Sequence, residues 1–113
     1  VHEAGIAQEI LDVVNEIAAR HGLSKVSGVR LRIGAMRQIV PDALRFAFEA
    51  LGRGSVAEGA RITIDEVAVR CSCRACGSIF AVEDYDFFCP VCNGMEVTVM
   101  EGKELSIDSV EGD

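Results

Sequence analysis

The chain has 113 residues, half of them hydrophobic, with a formal net charge of −7 and no tryptophan. That length holds one domain, or one small domain carrying a smaller insert, and the composition supplies an aliphatic core. The acidic balance argues against a nucleic-acid surface, which should be basic, and no apolar run approaches the length that crosses a membrane.

Residues 3–21 read as an amphipathic helix. Ile6, Ile10, Val13, Val14 and Ile17 recur at helical spacing, with Glu9, Asp12, Glu16 and Arg20 on other faces. His21-Gly22 marks its end, a basic group near the negative pole followed by a residue that accepts the left-handed cap conformation. The same stretch does not read as a secretory signal, because it starts acidic at Glu3 and its apolar run is broken by Asp12, Asn15 and Glu16. A reducing, cytoplasmic setting is therefore expected.

Val29-Arg30-Leu31-Arg32-Ile33 alternates strictly, the pattern of a half-buried strand with two arginines facing out, and Gly34 ends it. Pro41 opens a second helix, with Asp42 near its positive pole and Leu44, Ala47, Phe48 and Leu51 as its buried stripe. Met36 and Phe46 read as core or edge packing rather than a cofactor box. Residues 52–59 carry three glycines, but lack the Gly-Lys-Ser/Thr ending and the following helix of a phosphate-binding loop, so they read as a connector. From Arg61 to Arg70 the apolar parity flips, from Ile62 and Ile64 to Val67 and Val69. A period of two changes parity only at a bulge or a new element, so the strand is expected to leave the main sheet there. Glu96 to Met100 reads as extended, and Glu104 to Asp108 as a last strand returning to the main sheet.

Between these lies Cys73-Arg74-Ala75-Cys76, twelve residues, then Cys89-Pro90-Val91-Cys92. Each Cys-x-x-Cys places two thiolates on one tight turn, and two such turns facing each other form the tetrahedral four-sulfur cage that suits Zn²⁺. Gly77 after the first pair and Asn93-Gly94 after the second tolerate the positive φ that such turns need. The connector is expected to form a β-hairpin, Ser78 to Val82 out, Asp84 to Asp86 turning, Phe87-Phe88 back. Disulfides would need an oxidising compartment, and a redox dithiol would be one Cys-x-x-Cys in a βαβ setting. Cys71 is too close to Cys73 to share its turn and reads as a bystander.

The fold class expected is α+β, two helices packed on a three-stranded sheet with an inserted zinc-ribbon-like β-hairpin domain. Its domains are residues 1–70 plus 103–113, and residues 71–102.

Val1-His2-Glu3 is the second informative stretch. A free α-amine, the amide nitrogen of His2 and its imidazole can reach one metal through small fused chelate rings, a nitrogen-rich, near-planar set that suits Ni²⁺ or Cu²⁺. Glu3 can add an oxygen or support His2 from behind. His2-Glu3, the helix, Val29 to Gly34, Gly54-Ser55-Val56-Ala57-Glu58-Gly59, the two cysteine pairs and Glu104-Leu105 together resemble the HypA family of hydrogenase nickel-incorporation proteins, over essentially the whole chain.

That resemblance implies a nickel metallochaperone rather than an enzyme. It implies Ni(II) as cargo at His2, Glu3 and Val1, and structural Zn(II) held by Cys73, Cys76, Cys89 and Cys92. It further implies delivery to the large subunit of nickel-iron hydrogenase with a HypB-type nickel GTPase; some members also serve urease maturation. No nucleic-acid or membrane partner is implied. The family begins with Met where this sequence has Val1, as a non-standard start codon read literally would give. Some members also carry an acidic residue beside the nickel site where Val40 aligns, with Asp42 two positions on. The competing readings are a zinc-ribbon protein-interaction module without nickel traffic, and a thiol oxidoreductase using Cys73/Cys76 or Cys89/Cys92. Metal analysis separates them: zinc with titratable nickel, zinc alone, or free dithiols.

Overall fold

A computed structural model describes residues 2–113. In chain order the elements are α1 (His2–Arg20), β1 (Val26–Gly34), one turn of 3₁₀ helix (Ala35–Arg37), α2 (Pro41–Leu51), β2 (Arg61–Val67), β3 (Arg70–Cys73), β4 (Ile79–Ala81), β5 (Val97–Glu101) and β6 (Leu105–Gly112). The strands form two three-stranded sheets, of order β2-β1-β6 and β4-β3-β5. The chain divides into two compact units. The first is Val1–Arg32, Ile39–Asp65 and Ser106–Asp113, and the second is Ile33–Gln38 and Glu66–Leu105.

In the first unit the two helices pack on the β2-β1-β6 sheet. Val29 and Leu31 are buried while Arg30 and Arg32 are exposed, as the alternation requires, and Ile33, buried as well, begins the second unit's share of the strand. Phe48 and Leu44 of α2 and Leu31 of β1 are among the largest fully buried side chains, and burying each contributes about 1.5–3 kcal/mol. The buried stripe of α1 is Ala7, Ile10, Leu11, Val14 and Ala18, turned away from the expected one: Val13 is 44% exposed, and Ile6 and Ile17 are half-buried. Two alanines lie on the inner face, where a small side chain lets the helix approach its neighbours closely. In α2 only Leu44 and Phe48 of the expected stripe are buried, and Phe46 is 72% exposed, so it packs in no core.

The end of α1 forms a Schellman motif. Leu23 N–H donates to Ala18 O at 2.9 Å and Gly22 N–H to Ala19 O at 3.4 Å, with Gly22 at φ +66. The loop 52–59 closes on itself: Gly54 N–H donates to the Glu58 carboxylate at 2.9 Å and Ala57 N–H to Ser55 Oγ at 3.1 Å. On the outer face of the sheet, Arg30 reaches Asp65 at 2.9 Å, a half-exposed pair of the kind that adds little stability.

In the second unit, β3 is the central strand, antiparallel to β4 and to β5. The parity flip after Ile64 marks the switch of sheets: β2 ends at Val67 and β3 begins at Arg70 in the other one. The hairpin expected across Ser78 to Phe88 is corrected here. Only Ile79–Ala81 is a strand, and it pairs backwards with β3, while Phe87 and Phe88 lie outside any strand. The first cysteine turn itself joins β3 to β4, so the hairpin forms across that turn and β4 stays the edge strand of its sheet. Gly34 and Gly102 touch backbone to backbone in this unit; a Cβ on Gly34 would lie 2.1 Å from the Gly102 carbonyl carbon, so neither strand end tolerates a side chain there.

Candidate metal centres

The two cysteine turns are built alike. In the first, Gly77 N–H donates to Cys73 O at 2.8 Å and Cys73 N–H to Ser78 O at 2.8 Å. In the second, Asn93 N–H donates to Cys89 O at 2.8 Å and Cys89 N–H to Gly94 O at 2.9 Å. Gly77 takes φ +79 and Asn93 φ +62, so Asn93 rather than Gly94 supplies the left-handed position of the second turn. Each turn contributes one buried cysteine, Cys73 or Cys89, and one exposed, Cys76 or Cys92.

The four sulfurs lie within 4.8 Å of one another, with Cys76–Cys89 at 3.5 Å and Cys73–Cys92 at 3.6 Å. A tetrahedral zinc at about 2.3 Å from each sulfur would set them about 3.8 Å apart, within the observed range. The donor set therefore fits Zn²⁺ in size and in chemistry. Four thiols this close cannot all ionise without a cation among them, and the cluster is polarised accordingly. Hydrogen bonding with Ser78, whose Oγ lies 3.3 Å from Cys76 Sγ, together with Cys89 lowers Cys76 from 9.0 to about 6. At Cys92 the Gly94 backbone pulls down, but the sulfur of Cys73, burial, and the sulfurs of Cys76 and Cys89 together push it up to about 12. A divalent cation removes that conflict by taking all four as thiolates. Ser78 is a participant that residue spacing did not single out.

Cys71 stands outside this cluster. It is fully buried in β3, and burial pushes its thiol up.

At the start of α1, His2 and Glu3 come together. His2 Nε2 lies 3.5 Å from Glu3 Oε2, with the imidazole 55% exposed and the carboxylate side chain only 8%. Glu3 Oε2 accepts from the backbone N–H of Val40 at 3.2 Å, and this bond is the main cause that holds its carboxyl below the usual value of 4.5. Glu3 thus ties the first turn of α1 to the residue that precedes α2, a role invisible in the sequence. Val40 sits beside Glu3, as the resemblance aligned it, but offers no oxygen from its 56%-exposed side chain. Asp42 is turned to Arg45, 3.0 Å away on the same helix. Val1, the third residue expected at this centre, lies outside the described residues. His21 is exposed at the end of α1. No helix among the described residues is long and apolar enough to cross a membrane.

A family model described as "Hydrogenase/urease nickel incorporation, metallochaperone, hypA" matches residues 1–112. A hydrogenase maturation factor HypA from Picosynechococcus sp. is 38% identical over 111 residues, covering 98% of each chain. Another from Chlorobium limicola is 40% identical over 116 residues, covering 100% of each. Of solved structures, that of the Ni metallochaperone HypA from Helicobacter pylori has a TM-score of 0.69 at 22% identity, covering 97% of this chain and 96% of that one. A second HypA solution structure has a TM-score of 0.74 at 24% identity, covering 98% and 95%. The structural likenesses bear on the fold, and the sequence relatives on the lineage. The chain belongs to the HypA family of nickel-incorporation metallochaperones, the hydrogenase maturation factors.

Proposed function

We propose that this protein binds Ni(II) at the start of α1, through His2 and Glu3 with Val1 as a third ligand, and delivers it for maturation of nickel-iron hydrogenase. The observation that carries the reading is the pairing at the start of α1: an exposed imidazole beside a carboxylate that is itself buried and fixed by a backbone N–H. Backbone N–H groups in the first turn of a helix have no intrahelical partner, so the His2 amide nitrogen is free to join a chelate. A helix N-terminus repels cations, and the Glu3 carboxylate offsets that repulsion at the point where the metal would sit. A carrier must also release its cargo, and a site with an exposed imidazole does this more readily than a closed cage.

In this reading the first compact unit is the nickel-binding domain and the second is the zinc-binding domain, with Cys73, Cys76, Cys89 and Cys92 holding a structural Zn(II). Bound there, zinc would supply folding free energy, and the protein performs no catalysis of its own. A HypB-type nickel GTPase, the hydrogenase large subunit and, where present, urease maturation proteins are the partners, and the setting is cytoplasmic.

The test is metal analysis followed by nickel titration of untagged protein and of His2→Ala. The expected result is one zinc per chain in both, and stoichiometric nickel only in the unsubstituted protein. Nickel titrating normally into His2→Ala would refute the site and turn attention to His21 or the cysteines.

A further inference from the structure

A cavity of about 460 Å³ opens on the second unit, lined by Ala35, Val69, Val82, Asp84, Tyr85 and Phe87. Its floor and walls are apolar: Val69 is buried, and Val82 and Phe87 are half-buried. The rings of Tyr85 and Phe87 stand 6.4 Å apart between centroids, and Tyr85 is 55% exposed. Concave sites of this size, apolar with a few convergent polar groups, are where ligands bind.

The rim is held in an unfavourable backbone conformation. Asp84 and Tyr85 take φ +53 and +60, and Asp86 N–H donates to Glu83 O at 3.0 Å, closing a turn with both central residues left-handed. Such turns normally use Asn-Gly or Asp-Gly, and a tyrosine there is strained. Gln38, also left-handed at φ +54, donates from its amide to the Tyr85 hydroxyl and fixes the ring over the cavity. Strain of this kind persists only where the surrounding structure enforces it, and it concentrates at ligand clamps.

The charge of the rim says what the cavity faces. Glu83, Asp84 and Asp86 are all exposed, and among the described residues none of them forms an ion pair. We propose that the cavity is a docking site for a basic segment of a partner protein. One large apolar side chain of that segment would enter between Val82 and Phe87, and flanking lysines or arginines would meet Glu83, Asp84 and Asp86. A second copy of this chain is the poorer occupant. Each copy carries −7, and its one Arg-Leu-Arg segment, residues 30–32, has its leucine buried. The proposal rests on the second unit alone and is independent of nickel.

Tyr85 is the only tyrosine and there is no tryptophan, so intrinsic tyrosine emission reports this cavity and nothing else. The experiment titrates the full, zinc-loaded chain with a capped pentapeptide of lysines around a central leucine, and with its glycine-centred counterpart. Asp84→Asn combined with Asp86→Asn keeps the turn, since asparagine also accepts left-handed φ, and zinc content with dispersed amide spectra verifies its fold. The expected result is a saturable change with the leucine peptide alone, weakened by salt and by about threefold to tenfold in the double variant, the scale of two exposed charge contacts. No saturable change, an equal response to the glycine peptide, or unaltered affinity in the double variant would each overturn the proposal. So would an emission change that follows protein concentration without peptide, which would make the occupant a second copy.

Discussion

Replacing Cys89 with alanine separates the two units of this protein by what holds each together. Cys89 is fully buried, and its sulfur is 3.5 Å from that of Cys76. Apart from cysteines, the buried apolar side chains of the second unit are Ile33 and Val69. Burying those two contributes about 3–6 kcal/mol. A four-thiolate zinc site is worth about 10–16 kcal/mol of folding free energy at neutral pH. The metal is therefore the larger stabilising element, by a factor of about 1.7 to 5. Loss of a group that merely supports a ligand lowers metal affinity about 10–100-fold, so loss of a ligand should reach at least the upper end. Under mild chelation Cys89→Ala should lose its zinc, and amides of residues 71–94 should lose their dispersion. Helical ellipticity and the amides of α1 and α2 should persist, because their core of Leu31, Leu44 and Phe48 contains no cysteine. Stoichiometric zinc in Cys89→Ala, or a Cys71→Ala protein that loses zinc as completely as Cys73→Ala, would refute the ligand assignment.

In protein prepared to start at Val1, acetylation of the amine should weaken nickel binding, because an amide nitrogen in its neutral form is no ligand; equal calorimetric affinity in free and acetylated protein would rule the amine out. Val40→Asp places a carboxylate beside Glu3 while leaving the Val40 N–H in place, and should tighten nickel by about tenfold, the equivalent of one contact of about 1.4 kcal/mol; unchanged affinity would show that this side chain does not reach the metal. Glu3→Gln tests the tether to Val40 through pH. The folded carboxyl titrates below 4.5, so its contribution to stability is complete above that value and is lost as pH falls through the lower folded value. The gap in thermal midpoint between the two proteins, followed on first-unit amides, should be constant near neutrality and close only in acid. A gap that closes near neutrality would refute the tether.

Much of the architecture is local and could be read from the chain. The alternation of Val29 to Ile33, Pro41 at the start of α2, the Gly22 cap and the parity flip after Ile64 each state a backbone requirement that neighbouring residues satisfy by themselves. The two Cys-x-x-Cys pairs likewise carry their turn geometry with them, which is why their sulfurs were foreseeable as one cluster. What only the tertiary structure decided depends on residues far apart in the chain. The inner face of α1 is set by which side chains let it approach its neighbours, so Ala7 and Ala18 displaced the larger Ile6 and Ile17. The partner of β4 was fixed by the cysteine turn that precedes it rather than by the aromatic pair that follows. Glu3 reads in the sequence as a free carboxylate in a first helical turn. It is buried because the Val40 N–H, 37 residues away, needs an acceptor there, and only the packing of α1 against α2 brings the two within 3.2 Å.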